Sequence, residues 1–253
     1  MVRKNKKITA AILVIGNEIL SGRTKDQNVS YLASWLNNTL GIKLSEVRII
    51  PDIEKKIIKS ILALSKNYDY VLTTGGIGPT HDDITSQSVS KAFKKKYTYH
   101  EEAYRILKNY YGKKNFNDPR KKMAKMPNGA KLIYNPSSAA PGFIIKNVIC
   151  LPGVPSILQS MAINLKKYLK PGLKIHSLTI STETIESNIA KELEKIQKKY
   201  KKSVEIGSYP FFRLGKIGVS IVLRSSKKIG LQSCHKAIIK MLKKKNVNIF
   251  KVV

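Results

Sequence analysis

Residues 70–85 read Tyr70-Val71-Leu72-Thr73-Thr74-Gly75-Gly76-Ile77-Gly78-Pro79-Thr80-His81-Asp82-Asp83-Ile84-Thr85. A short apolar run ends in a glycine-rich turn, then in carboxylates, then in a helical pattern from Thr85 to Phe93. The run is too short for a helix and reads as a buried strand. Glycine lets backbone N–H groups approach an anion closely, and a helix start adds a positive dipole end.

The same grammar repeats on either side. Ile8–Ile15 is a continuous apolar strand, and Val29–Leu40 carries apolar residues at helical spacing, closed by Gly41. Val47–Ile50 is a strand, Ile53–Leu64 a helix and Ala103–Tyr111 another helix. Lys131–Tyr134, Phe143–Ile145 and Val148–Leu151 read as short strands, and Ser156–Leu169 as a closing helix. Strands alternating with helices imply right-handed crossovers and a three-layer α/β/α domain with a mostly parallel sheet, over residues 8–170. Pro171-Gly172 breaks the pattern. Over residues 171–253 the order becomes strand Ile175–Ile180, helix Ile185–Tyr200, strands Val204–Tyr209 and Ile217–Leu223, helix Leu231–Lys245, strand Val247–Val252. That is a small α+β ferredoxin-like βαββαβ domain.

Composition bounds the function. At 253 residues with 42% hydrophobic and 25% charged side chains, the chain is a folded one with room for two domains. No apolar run is long enough to span a membrane. The basic start, Met1–Lys7, is followed by a strand-like stretch too short for a signal peptide, so a cytoplasmic location is expected. Two cysteines, Cys150 and Cys234, exclude a disulfide scaffold and a cysteine-built zinc site. The net charge of +31 raises nucleic acid as a partner. Only seven of the 47 basic residues are Arg, the lysines run along the whole chain, and no aromatic-interleaved RNA motif is present. Nonspecific attraction is therefore the expected extent of nucleic-acid binding.

In an open parallel sheet, ligands bind beyond the carboxyl ends of the strands. Those ends deliver Gly16-Asn17-Glu18, Pro51-Asp52 and the turn from Thr74 to Thr85 to one rim. Thr74, Gly75, Gly76, Gly78 and Thr85 are candidates for holding phosphate. Asp52 and Asp83 are candidate catalytic carboxylates, and Glu18 with Asp83 candidate ligands of Mg²⁺ or another divalent cation. A hard cation lets carboxylates and phosphate share one site. Asp52 and Asp83 each also precede a helix and fit a capping role. Neither a GxxxxGK[ST] loop nor a GxGxxG fingerprint occurs, which disfavours P-loop nucleotidases and dinucleotide dehydrogenases. His81 stands alone, as do His100, His176 and His235. A second small-residue stretch, Asn135 to Phe143, and the turn Leu151-Pro152-Gly153-Val154-Pro155 place Ser137, Ser138, Pro141, Gly142, Pro152 and Gly153 as candidates for a base or pterin pocket. Tight turns with a proline-primed helix start are the alternative.

The motifs Gly16-Asn17-Glu18-Ile19-Leu20, Asp26-Gln27-Asn28, Thr74-Gly75-Gly76-Ile77-Gly78-Pro79 with Asp83-Ile84-Thr85, Asn135-Pro136, Ala140-Pro141-Gly142-Phe143 and Leu151-Pro152-Gly153-Val154-Pro155 resemble the MoaB/Mog molybdopterin-binding family. The resemblance is nearest to the N-terminal domain of competence/damage-inducible protein A (CinA) and extends to the molybdopterin-binding-like domain of FAD synthase. It covers roughly residues 8–170, and Ile206-Gly207-Ser208-Tyr209-Pro210 extends it weakly beyond. It implies a divalent-metal-dependent diphosphatase that releases AMP from ADP-ribose or FAD, with Asp52 and Asp83 at the family's aspartate positions. A non-catalytic molybdopterin- or nucleotide-binding protein is the alternative it also implies, and relatives suggest a homo-oligomer. Ile157 stands where the family pattern has Glu, which puts one ligand position in doubt. With no amidase segment and no nucleotidyltransferase segment in the sequence, neither amide hydrolysis nor FAD synthesis is expected.

Overall fold

A computed structural model describes residues 7–213 and 215–252. The first six residues of the basic N-terminal stretch, and the terminal Val253, lie outside the described residues. The chain divides into two compact units between Gly172 and Leu173.

The first unit begins with β1 (Thr9–Ile15), the one-turn helix α1 (Asn17–Leu20) and α2 (Asn28–Ser34), which continues to Leu40 as a π turn. Gly41 ends that helix at φ 65°, in the left-handed region open to glycine. Next come β2 (Lys43–Ile50), α3 (Glu54–Asn67), β3 (Tyr70–Thr74), α4 (Thr85–Ala92), β4 (Tyr97–Tyr99), α5 (Glu101–Asn115) and α6 (Asp118–Lys122). β5 (Lys125–Pro127), β6 (Lys131–Ile133), β7 (Gly142–Ile145), β8 (Val148–Leu151) and α7 (Pro155–Leu165) complete it.

The main sheet has the order β2-β1-β3-β8-β7-β6. β2, β1, β3 and β8 run parallel, and β7 and β6 turn back antiparallel. β1 is buried on both faces because helices cover both. One core packs Leu13, Ile15, Ile57, Ile61, Val89 and Phe143 together. The other packs Ile12, Val14, Leu32, Leu36, Leu158 and Met161. The three-layer α/β/α expectation is met.

Three local features differ from the sequence reading. β2 is twice the predicted length, eight residues in place of Val47–Ile50, and its polar half reads as loop because it alternates at an edge. α5 runs past Tyr111, with a break at Gly112 (φ 71°). β4 and β5 pair as a small separate sheet that three-residue strands do not announce in sequence. Ile157 is partly buried against the second core, so this chain spends that position on packing.

The second unit contains β9 (His176–Glu183), α8 (Glu186–Tyr200), β10 (Glu205–Arg213), β11 (Lys216–Ser225), α9 (Lys228–Lys244) and β12 (Asn248–Val252). The sheet order is β10-β11-β9-β12, with every neighbour antiparallel. This is the split βαββαβ order. Ile189, Leu193, Ile238 and Leu242 from the helices pack on Ile180, Val219, Ile221 and Leu223 from the strands. Among the described residues, no helix is long and apolar enough to cross a membrane.

Candidate functional site

The parallel strands β1, β2, β3 and β8 end on one rim, and hydrogen bonds tie those exits together. The Gly16 amide donates to the Ile50 carbonyl at 3.2 Å, and the Gly75 amide to the Leu151 carbonyl at 3.1 Å. The Asn17 amide donates to Asp52 Oδ2 at 2.9 Å. Asp52 therefore does not cap α3, whose N-cap is Ile53 without a side-chain bond. It closes the gap between the exits of β1 and β2.

The glycine turn is set by close approach. Gly75 has φ 98°, and a Cβ there would lie 2.2 Å from the Ile15 carbonyl. Gly76 has φ 69°, and a Cβ there would lie 2.1 Å from Thr85 Oγ1. Side chains are excluded at both positions by contact and by backbone conformation. The Thr85 amide donates to the Gly76 carbonyl at 2.9 Å, which folds the turn onto the start of α4. Among the described residues, no acceptor takes the amides of Gly76, Ile77 or Gly78. Thr85 is buried, and its hydroxyl has no partner among the described residues. Buried polar groups left unsatisfied in a native fold call for an explanation, and a ligand is one.

Asp83 Oδ2 accepts from the Thr80 amide at 2.8 Å and from the Thr80 hydroxyl at 2.5 Å. It shapes the turn from inside, and the N-cap of α4 is Ile84. Lys122 on α6 donates to the Thr80 carbonyl and pins the outer limb of the same turn.

Electrostatics single out Asp52. Burial pushes its carboxyl pKa up, and the charges of Glu18 and Asp82 push it in the same direction against the opposing Asn17 hydrogen bond. Glu18 and Asp82 thus each lie within electrostatic reach of Asp52. No group of three or more His, Cys, Asp or Glu converges as a metal cage among the described residues. This donor set fits a hard cation that takes one or two carboxylates, water and a substrate phosphate, which is how Mg²⁺ is ordinarily held.

The loop between β6 and β7 reaches the same rim, because β7 starts opposite the end of β8, with Phe143 paired to Cys150. The Asn135 side chain accepts from the amides of Ser137 and Ser138, and donates to Ser138 Oγ and the Ala140 carbonyl. Ser137 Oγ bonds to Ser160 at 2.9 Å. Pro141 and Gly142 are buried in the fold, and a Cβ at Gly142 would lie 2.4 Å from the Cys150 carbonyl. Gly153 sits against the glycine turn, where its Cβ would lie 3.4 Å from the Gly75 Cα. Pro152 precedes it, partly buried.

Three residues at the rim were given no role from sequence, Asn28 among them although it stands in the Asp26-Gln27-Asn28 motif. Asn28 is 4% exposed; its Nδ2 donates to the Gly153 carbonyl at 2.7 Å, and its Oδ1 has no partner among the described residues. An Asn at a helix start reads as a cap, but Asp26 does that work by accepting from the Val29 amide. Asp82 stands beside the aspartate that the motif emphasised. Lys122 is one lysine among many, and nothing local marks it.

Residues 11–174 match the model of a probable molybdopterin-binding domain, and residues 174–251 match the FAD synthase middle domain. A protein of Archaeoglobus fulgidus is 34% identical over 79% of this chain and 84% of its own length. A probable FAD synthase of Caenorhabditis elegans is 32% identical over 82% of this chain, and a CinA-like protein of Fusobacterium nucleatum 37% identical over 67%. The matches span 45% and 41% of those two relatives. The crystal structure of the protein CinA, of unknown function, from Thermoplasma acidophilum matches with TM-score 0.60 and 31% identity, over 65% of this chain and 99% of that one. With the rim, the glycine turn and the family model all falling on the same residues, the chain belongs to the family of probable molybdopterin-binding domains, of the CinA-like kind.

Proposed function

We propose that the chain is a divalent-metal-dependent diphosphatase that cleaves an adenosine diphosphate-linked substrate, ADP-ribose or FAD, to AMP and a second phosphomonoester. The observation that carries this reading is the glycine turn, with its unspent amides at Gly76, Ile77 and Gly78, on the same rim as the electrostatically strained Asp52. Anion donors beside mutually repelling carboxylates make a site that a diphosphate and a cation complete together.

In this reading the turn amides and the Thr85 hydroxyl hold phosphoryl oxygens and stabilise the charge that builds on them. Glu18, with Asp82 near Asp52, would hold the cation, which when bound supplies Lewis acidity and neutralises phosphate charge. Asp52 Oδ2 is engaged by Asn17, so its other oxygen is left to orient water and accept its proton. Water oxygen bonds to the adenosine-side phosphorus, the bridging P–O bond breaks, and the proton that Asp52 accepted passes through solvent to the leaving phosphate. Asp83 keeps the turn in shape through Thr80. The base or pterin ring would rest along the rim between Gly153 and the 135–142 loop.

AMP release tests it. The protein is incubated with ADP-ribose, FAD and NAD in turn, each with Mg²⁺, Mn²⁺ or Co²⁺. AMP from the parent and none from Asp52→Asn is the expected result. Retention of a pterin or nucleotide without AMP under any of these conditions would replace the diphosphatase with a binding protein.

A further inference from the structure

Both helices of the second unit bury their apolar sides in one core, on one face of the β10-β11-β9-β12 sheet. The opposite face carries no element of that unit among the described residues. Strand pairing fixes its rows: Tyr209 lies beside Ser220 and Ser181, and Gly207 beside Val222 and Thr179. They alternate with Ile206, Val219, Ile221 and Ile180, which pack toward the helices.

Aromatic rings lie over glycines on this open face. A Cβ at Gly207 would sit 2.7 Å from the Tyr209 ring, and one at Gly218 would sit 2.4 Å from the Phe211 ring. Phe250 comes in from β12, the opposite edge strand, and meets Phe211 edge to face with centroids 5.9 Å apart. Tyr209 is 54% exposed and Phe250 52%. Around the rings the surface is made of small hydroxyls, with Ser181 and Ser220 facing each other at 3.3 Å, and not of the aliphatic side chains that fill a protein core. One end of the same sheet is basic. β9 starts after Lys174, β10 starts after Lys201 and Lys202, and β11 ends before Lys227 and Lys228; all five lysines are exposed. Arg224 is exposed on the open face itself, opposite Glu205. Tyr209 stands four residues from the start of β10, about 13 Å at the rise of a strand.

We propose that this open face binds single-stranded nucleic acid, with bases stacked on Tyr209, Phe211 and Phe250 and phosphates drawn to the lysines at the basic end. Every base has a π face, so rings set among small residues take a strand with little regard to its sequence. The lysines neutralise the backbone that such a strand brings with it. Charge spread along the whole chain gives attraction without a seat; the rings, brought together from β10 and β12, supply one. The inference is independent of the diphosphatase reading.

The test is fluorescence anisotropy of a labelled oligothymidylate of about 12 nucleotides with the full chain at physiological salt. Its duplex with oligodeoxyadenylate runs alongside. The single strand binds, and the duplex, whose bases are stacked inside the helix, binds roughly tenfold more weakly or less tightly still. Diffuse attraction to lysines gives the reverse order, because a duplex carries the denser charge. This comparison uses the parent chain and depends on no variant folding. Tyr209→Leu and Phe250→Leu each weaken single-strand binding by roughly tenfold, while Tyr209→Phe, which keeps the ring, stays near the parent. Thermal unfolding followed by circular dichroism checks that each variant is folded. The double variant K227Q/K228Q lowers the slope of log affinity against log salt by about one to two. Equal or tighter binding of the duplex, binding lost at physiological salt, or folded leucine variants that bind like the parent overturn the proposal.

Discussion

Two loops on the same rim are both rich in small residues, and they use their polar groups in opposite ways. The 135–142 loop satisfies itself: Asn135 makes four hydrogen bonds inside it, and Ser137 is held by Ser160. The 75–85 turn is shaped from inside by Asp83 on Thr80 and held from outside by Ile15 against Gly75 and Lys122 on the Thr80 carbonyl. Its amides at Gly76, Ile77 and Gly78 stay unspent. Composition does not separate a structural loop from a ligand loop; the separation lies in which donors the fold consumes.

The sharpest way to break this contrast is at Asp52. Asp52→Asn should lower AMP release by about 100-fold or more, as loss of a general base does. Its effect on stability has the opposite sign. The folded state raises the Asp52 pKa, so it binds the proton more tightly than the unfolded chain, and stability falls as pH rises from the ordinary carboxylate range through the raised value. Removing the charge should leave the protein equally stable below that window and more stable above it. The side chain is partly exposed, so the gain should be about 0.5 kcal/mol or less, read as a small upward shift in melting temperature at neutral pH. Activity should fall on acidification through the same raised pKa.

Gly76→Ala comes next. The new Cβ collides with Thr85 at a positive φ, which should cost about 1–3 kcal/mol and displace the amides, so binding of ADP-ribose is lost along with stability. Asn135→Ala sharpens the comparison from the other side. It should lose about 2–3 kcal/mol in denaturant unfolding, while AMP release per folded molecule holds near the parent value. Lys122→Met should raise KM a few-fold with kcat little changed, an effect that shrinks as salt screens the lost charge. Ser137→Ala should be smallest, within about 0.5 kcal/mol in stability. A large kinetic effect there would mean that the loop reads a ligand after all.

The candidate site was legible in its motifs and not in its pairings. Glu18, Asp52 and the turn residues could be placed on the rim because each follows a recognisable strand. Asp83, read as a catalytic carboxylate and metal ligand, lies on the rim with one oxygen on Thr80, a contact the sequence did not announce. Asp82, whose charge reaches Asp52, is adjacent in sequence, and nothing in the local pattern marks it. Asn28 meets Gly153 across 125 positions and Lys122 meets Thr80 across 42, distances over which periodicity carries no information.

By itself the sequence determined the strand–helix alternation, the change of order after Gly172, the glycine turn after β3 and the rim on which those strand ends fall. These follow from hydrophobic period and backbone preference, which act over a few residues. Only the tertiary structure decided that β1 is interior and β2 an edge, that Asp52 bridges two strand exits, and that the turn leaves the Gly76, Ile77 and Gly78 amides free. Those depend on strand order and on the direction of single side chains, and both are set by packing between segments far apart in the chain.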